Sequence, residues 1–370
     1  MRTVRRLLYR DLLGSVLFVA LAFLSLFYFI DFVDELDNLG RKGLGAGPAA
    51  WLALLEQPGH FYELFPIAVL IGSIYSLARL AQSSEFTILR TGGLGPGRAL
   101  SLLTSLALGF AALTFVVGDY VAPAVERQAE LQRARITGGI ARGQNGAWLK
   151  DKQHGPDGER SFSVNVRRAR GPSELEGVRI FEFDAQGALI ARTQAARASV
   201  DAEGLWRLSD VVRTRWQAAP GDAHPQVQEQ QLATLDWRSG LSVNVISAAL
   251  LPAKTMSTAE LYRYTRHLSA QEQSAQQHDI QFWRKAFYPF ACLVMVALAL
   301  PFAYLHGRNS GISLKVFGGI MLGISFVLLN NVAGHLGLLK GWTPWAVAAT
   351  PSLIYLAISL AAFGWLVRYR

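Results

Sequence analysis

The chain has 370 residues, 51% of them hydrophobic, and a formal net charge of +9. That positive excess is divided between the flanks of long apolar stretches and the polar segment between them, so it forms no basic block of the kind that binds nucleic acid. A single cysteine excludes an intrachain disulfide, and the sequence has no His-Glu-x-x-His, no Cys pair and no Gly-x-Ser-x-Gly.

Six windows are apolar over the roughly 20 helical residues that a hydrocarbon core of about 30 Å requires. They are Leu12 to Ile30, Phe61 to Ala81, Ala99 to Val121, Phe282 to Leu305, Ser313 to Asn331 and Trp345 to Val367. Their uninterrupted runs lack the alternation of barrel strands, so they are predicted as helices. The expected fold is an α-helical membrane protein with six transmembrane helices in a 3+3 arrangement and an inserted all-β domain, divided at 1–123, 124–256 and 257–370.

The first window follows Arg2, Arg5, Arg6 and Arg10, as a signal peptide would. It is longer than a usual signal core, and Asp31-Phe32-Val33-Asp34 stands where a small-residue cleavage site belongs, so it is expected to remain as a helix. Beyond it come Asp31 and the basic pair Arg41 and Lys42. After the second window, residues 83–91 carry the features of a short helix. Ser83 and Ser84 offer caps, Glu85 an acidic first turn, Phe86 and Leu89 an apolar face, Arg90 a basic last turn, and Gly92-Gly93 a stop. It reads either as an interfacial turn or as a coupling helix that docks into a groove on a separate ATPase. Gly92 to Gly97, followed by Arg98-Ala99, lacks the Lys and the hydroxyl of a phosphate loop, so the chain is not expected to hydrolyse ATP itself.

Past the third window lie Arg127, Arg133 and Arg135, and then alternating segments between Gly146 and Ile246. Phe162, Val164 and Val166 alternate with polar residues, and breaks at Asp184 to Gly187 and at Glu203-Gly204 supply turn residues. These point to an all-β sandwich, barrel or jelly roll. An apolar inner face with few large aromatics weakly favours a ligand-conducting module over a passive one. Ser257-Thr258-Ala259-Glu260 is a capping box opening an amphipathic helix through Leu261, Tyr264 and Leu268. Lys285 opens the fourth window and Cys292 lies inside it as an inert core thiol. Asn330 and Asn331 in the fifth window hydrogen-bond across a gate or act as ordinary interhelical glue. Asp119 has no assigned role. Lys and Arg in the short loops place both ends of the chain in the cytoplasm and the strand-rich segment on the other side.

Four segments carry a family resemblance by their order and spacing: Phe32-Val33-Asp34-Glu35-Leu36, Leu80-Ala81-Gln82-Ser83-Ser84-Glu85, Val121-Ala122-Pro123, and Phe282-Trp283-Arg284-Lys285-Ala286-Phe287-Tyr288-Pro289. With them the chain resembles, end to end, the lipopolysaccharide-export ABC transporter permeases of the LptF/LptG kind, more on the LptG side. The resemblance implies a permease subunit in a bacterial inner membrane, with a periplasmic jelly roll and no cofactor of its own. Its implied partners are a sister permease of the LptF type, a cytoplasmic LptB-type ATPase dimer that binds ATP and Mg, a bitopic LptC-type protein and an LptA-type periplasmic bridge. Lipopolysaccharide would enter from the outer leaflet between lateral gates formed by the first and fifth helices, which makes Asp31, Asn330 and Asn331 gate positions. Ser84, Glu85, Phe86, Leu89 and Arg90 would couple to the ATPase.

Lipid A phosphates call for cations at that depth. Arg41, Lys42, Arg127, Arg133, Arg135 and Lys285 are the candidates, each also readable as a snorkelling interfacial charge. The family can place a Lys where this chain has Asp31, whose counter-charge is expected among Arg41 and Lys42 or on a partner. The rival reading is a non-transporting scaffold whose β domain recruits envelope-assembly partners. A lipid-modifying enzyme fares worse, because no nucleophile, acid/base pair or metal cluster is evident at one depth.

Overall fold

The computed structural model describes residues 2–41, 45–93, 95–137, 146–155, 158–170, 173–201, 203–217, 226–243, 245–246, 255–270, 276–304 and 311–369. The chain divides into two compact units, Met1–Glu126 with Gln276–Arg370, and Arg127–Ala275. The sequence reading drew these edges at 123/124 and 256/257, so the helix after the strands falls with the sheet.

The first unit holds α1 (Arg2–Gly40), α2 (Ala46–Gln82), α3 (Glu85–Thr91), α4 (Pro96–Val116), a π-helical turn (Val117–Val121) and the start of α5 (Ala122–Thr137). Beyond the strands it adds α7 (Gln276–Tyr304), α8 (Ile312–Lys340) and α9 (Pro344–Tyr369). Six helices among the described residues are long and apolar enough to cross a membrane. Each expected window lies on one of them, though α1 and α2 continue well past their windows.

The third helix does not stop at Pro123. Proline has no N–H to give to the carbonyl four residues back, and the preceding π turn, where Ala122 N–H reaches the Val117 carbonyl, shifts the bonding pattern just before it. Gly118 inside that turn takes the Tyr62 ring, which would meet a Cβ at 2.2 Å.

α2 is the axis of this unit: 83% of its most apolar window is buried, against 11% for α1 and 17% for α8. α1 lies on α2 through Leu8, Leu12, Val16 and Ala20, one stripe at helical spacing. Their backbones nearly touch at Gly72, where a Cβ would stand 2.6 Å from Val16 Cα. α8 reaches α2 through Gly319 and Gly323, four residues apart, against Ile74 and Ile67. Without a hydrophobic drive inside lipid, such small residues are what allow close dispersion contact.

In the second unit, β1 (Ala147–Gly155), β2 (Gly158–Ala169), β3 (Glu174–Phe183), β4 (Leu189–Val200), β5 (Leu205–Gln217) and β6 (Gln226–Arg238) form one antiparallel sheet in sequential order. α6 (Thr258–Ala270) completes it. Side chains three apart on a strand ordinarily face opposite ways. Here the pairs Val166/Ala169, Leu175/Val178, Ala195/Ala198 and Leu208/Val211 are all buried. Between them runs a row of facing residues, Arg167, Gly177, Ala196, Asp210 and Ala233, that drop out of the strand pairings. Gly177 and Asp210 on this row take positive φ, 66° and 55°. Strands β2 to β6 therefore share one irregular level, at which the alternation of faces resets while the register on either side is kept.

The expected jelly roll is thus a creased meander that curls on itself. Asp151 of β1, 1% exposed, accepts hydrogen bonds from Ser239 Oγ at 2.8 Å and Gly240 N–H at 3.0 Å, just past β6. Across the inside, the Phe162 ring lies 5.5 Å from Trp237, which stands edge-on to the fully buried Trp206 at 5.4 Å. The expectation of few large aromatics inside is corrected by this trio, whose rings fill the space where the curl closes.

Candidate functional site

α1 and α8 both rest on α2 and make no more than marginal contact with each other. A groove of about 770 Å³ lies over α2, lined by Leu7, Gly14, Phe18 and Val19 of α1, Ile71 and Tyr75 of α2, and Val316 of α8. Its polar end, nearest α3, is closed by Asp11, which pairs with Arg79 and accepts a hydrogen bond from Ser76. The outward faces of the two helices carry large apolar side chains, with Phe18 74% and Phe29 63% exposed on α1 and Leu328 59% on α8. Such faces need lipid or a partner chain to cover them.

At the opposite end of the α1–α2 hairpin, Asp31 does not pair with Arg41, whose guanidinium goes to Asp37. His60 Nε2 donates to Asp31 Oδ2 at 2.8 Å and Gln57 Nε2 donates to the same oxygen at 3.2 Å. α2 passes beside α1 at this level and supplies two donors to the carboxylate. Asn330 donates its amide to the Phe326 carbonyl of its own helix at 3.0 Å, and Asn331 is exposed. Among the described residues, neither amide hydrogen-bonds to another helix.

Three of the predicted phosphate cations have carboxylate partners. Arg41 pairs with Asp37 one turn back at 2.6 Å, with both exposed, and Arg133 with Glu130 at 3.4 Å. Arg127 Nη2 donates to both Glu260 carboxylate oxygens at 2.9 Å and to the Thr255 carbonyl at 3.3 Å. Glu260 also caps α6 as the sequence predicts. Ser257 N–H donates to its carboxylate at 2.8 Å and Glu260 N–H to Ser257 Oγ at 3.2 Å. Burial pushes the Glu260 carboxyl up, but the Ser257 backbone N–H and Arg127 outweigh it and hold the group below the usual range. Arg127 is therefore a clamp between α5 and the start of α6. Lys285 is half-buried on α7. Lys42 and the Arg135 side chain lie outside the described residues.

A cation that the sequence reading passed over is Arg284. It is half-buried on α7, no carboxylate pairs with it among the described residues, and its guanidinium lies against Gly334 of α8, where a Cβ would stand 3.1 Å from Nη1. Neighbouring Lys285 drew attention as the helix-end charge. The signal for Arg284 was the small residue on the facing helix, invisible until the two are paired.

On α3, Phe86 is 1% exposed and joins the core of the helical unit, with Leu89 packed behind it. The face turned outward holds Ser84, Glu85 and Ile88, the last 66% exposed. Phe86 and Leu89 therefore anchor α3 to the helical unit, and Ile88 is the large apolar side chain left outward. Ser84 sits at φ 61° and its carbonyl, rather than its side chain, receives the Ile88 N–H at 3.1 Å. Gly93 at φ 100° ends the helix as expected. The Arg90 side chain lies outside the described ones.

A family model described as "Lipopolysaccharide export system permease LptF/LptG" matches residues 6–366. The chain is 28% identical over 355 residues to the lipopolysaccharide export system permease protein LptG of Escherichia coli (strain K12), covering 95% of each chain. It is 26% identical over 364 residues to LptG of Haemophilus influenzae, covering 96% of each. Six spanning helices in a 3+3 order, an antiparallel sheet inserted between them and a match over nearly the whole length agree: the chain belongs to the LptF/LptG family of lipopolysaccharide export system permeases.

Proposed function

We propose that this chain forms one side of a path that takes lipopolysaccharide from the outer leaflet of a bacterial inner membrane, with both termini cytoplasmic and the rolled sheet periplasmic. A sister permease of the LptF type covers the exposed faces of α1 and α8, and lipopolysaccharide enters beside those helices. A separate LptB-type ATPase dimer, which binds the ATP and Mg, docks on the outward face of α3. An LptC-type bitopic protein and an LptA-type bridge receive the cargo from the sheet. Arg284, level with the small-residue face of α8, is the phosphate partner best supplied by α7, since a guanidinium matches phosphate bidentately.

The observation that supports this most is the pairing of two spanning helices, each held by one side to α2 and otherwise clothed in apolar side chains. A helix attached along one stripe can move without dismantling the core behind it. A photo-crosslinking side chain at Phe29 or Leu328, in a complex purified with its ATPase, is expected to yield adducts with lipopolysaccharide and with a second six-span chain. Protein adducts with no lipid adduct from either position would favour the scaffold reading and overturn this one.

A further inference from the structure

The C-terminal part of α1 and the N-terminal half of α2 hold a group that the sequence reading did not assemble, because its members lie on two helices. Asp31 of α1 and Glu56 and His60 of α2 each bring one ligand atom to within 4.8 Å of the others. Glu56 and His60 are one turn apart on the same face of α2. Between them, Gln57 directs its amide N–H to Asp31, while its carbonyl oxygen Oε1 is buried with no hydrogen-bond partner. A buried acceptor left without a donor is costly, and a cation satisfies it. The site is partly shielded: the Asp31 and His60 side chains are 13% and 21% exposed, and the Phe27 ring packs 4.8 Å from the His60 ring.

We propose that Asp31, Glu56 and His60, with the Gln57 carbonyl as a fourth donor, bind a divalent transition-metal ion of the zinc class. One imidazole and two carboxylates suit that class, whereas a site for Mg²⁺ would be built from oxygens and water. Ligand atoms around such an ion stand about 3.3 Å apart, given metal–ligand distances of about 2.1 Å. Completing the set requires the three ligand atoms, now within 4.8 Å of one another, to draw in and the Gln57 amide to turn end for end, since its nitrogen now faces Asp31. The His60 Nε2 proton now shared with Asp31 must leave that nitrogen, passing to Nδ1 or to solvent, so acid weakens binding. Because the donors come from both helices, the ion ties the end of α1 to α2. The site stands on this geometry alone and does not depend on the transport reading.

The test uses the full chain in detergent, stripped with a chelator and dialysed against Zn²⁺. One equivalent is expected to remain, with a raised melting temperature. His60→Gln, which keeps a hydrogen bond to Asp31, and Asp31→Asn are expected to weaken retention at least tenfold and abolish the thermal shift, while His335→Gln on α8 leaves both unchanged. Co²⁺ in place of Zn²⁺ should give a ligand-field absorption in the parent chain that is absent from His60→Gln. A parent chain that retains no metal, or retention equal in parent and His60→Gln, overturns the proposal.

Discussion

At the level of single residues, the most exacting position is Asp151. Its carboxylate is buried and accepts from Ser239, Gly240 and Gln153, so it fastens the first strand to the end of the last. Asp151→Ala leaves a backbone N–H and a hydroxyl without an acceptor, each costing on the order of 1–3 kcal/mol if water does not enter. The expected result is earlier chemical denaturation of the sheet, read by the fluorescence of Trp206 and Trp237, with helical circular dichroism in the membrane unit little changed. The capping box at Ser257 and Glu260 and the stop at Gly93 were legible in the sequence because both partners lie within one turn. The settings of Asp31, Arg127 and Arg284 were not legible for the opposite reason, since their neighbours sit 29, 133 and 50 residues away in His60, Glu260 and Gly334. A charge in a sequence shows its sign, while its occupation by a counter-charge depends on tertiary neighbours.

Among elements, the apolar windows settled which segments are helices but not which faces they hide. α3 illustrates the limit: Phe86 and Leu89 were correctly seen as one apolar face, and that face turned out to grip the bundle. A seven-residue helix has too few residues to declare which side is the core. The crossing of α1 and α2 offers a sharper test. Gly72→Ala places a methyl group within 2.6 Å of Val16 Cα, which is backbone and cannot rotate away. Overpacking of this kind typically costs 1–3 kcal/mol, against a helix-propensity gain of about 1 kcal/mol. The melting temperature of the detergent-solubilised chain is expected to fall for Gly72→Ala and to hold or rise for Gly318→Ala, which meets nothing within 4 Å. Equal behaviour of the two variants would remove Gly72 as the contact that sets this crossing.

For the molecule as a whole, the 3+3 order and the inserted strands were readable because membrane spans and turn-punctuated strands are signals carried by long stretches, not by single contacts. The aligned irregularities of the strands were not readable, since nothing local distinguishes Ala196 or Arg167 from its strand neighbours. The proposed orientation can be measured directly on this chain. Its single thiol, Cys292, is fully buried beside Thr114, so introduced cysteines report without background. Ser173→Cys, at the exposed residue just before β3, is expected to react with a membrane-impermeant maleimide in cells whose outer membrane has been opened. Ile88→Cys on α3 should react only after the inner membrane is breached. The reverse pattern would turn the proposed path around.

The line of unpaired residues across the sheet has a mechanical meaning. All the strands from β2 to β6 skip a beat at one level, so sliding any strand past its neighbour would put its irregular residue opposite a regular one and break pairing on both flanks. Shear is thereby blocked, while flexing about the line leaves every ladder intact. Like a book held by its spine, the roll can widen or narrow its interior without losing its place.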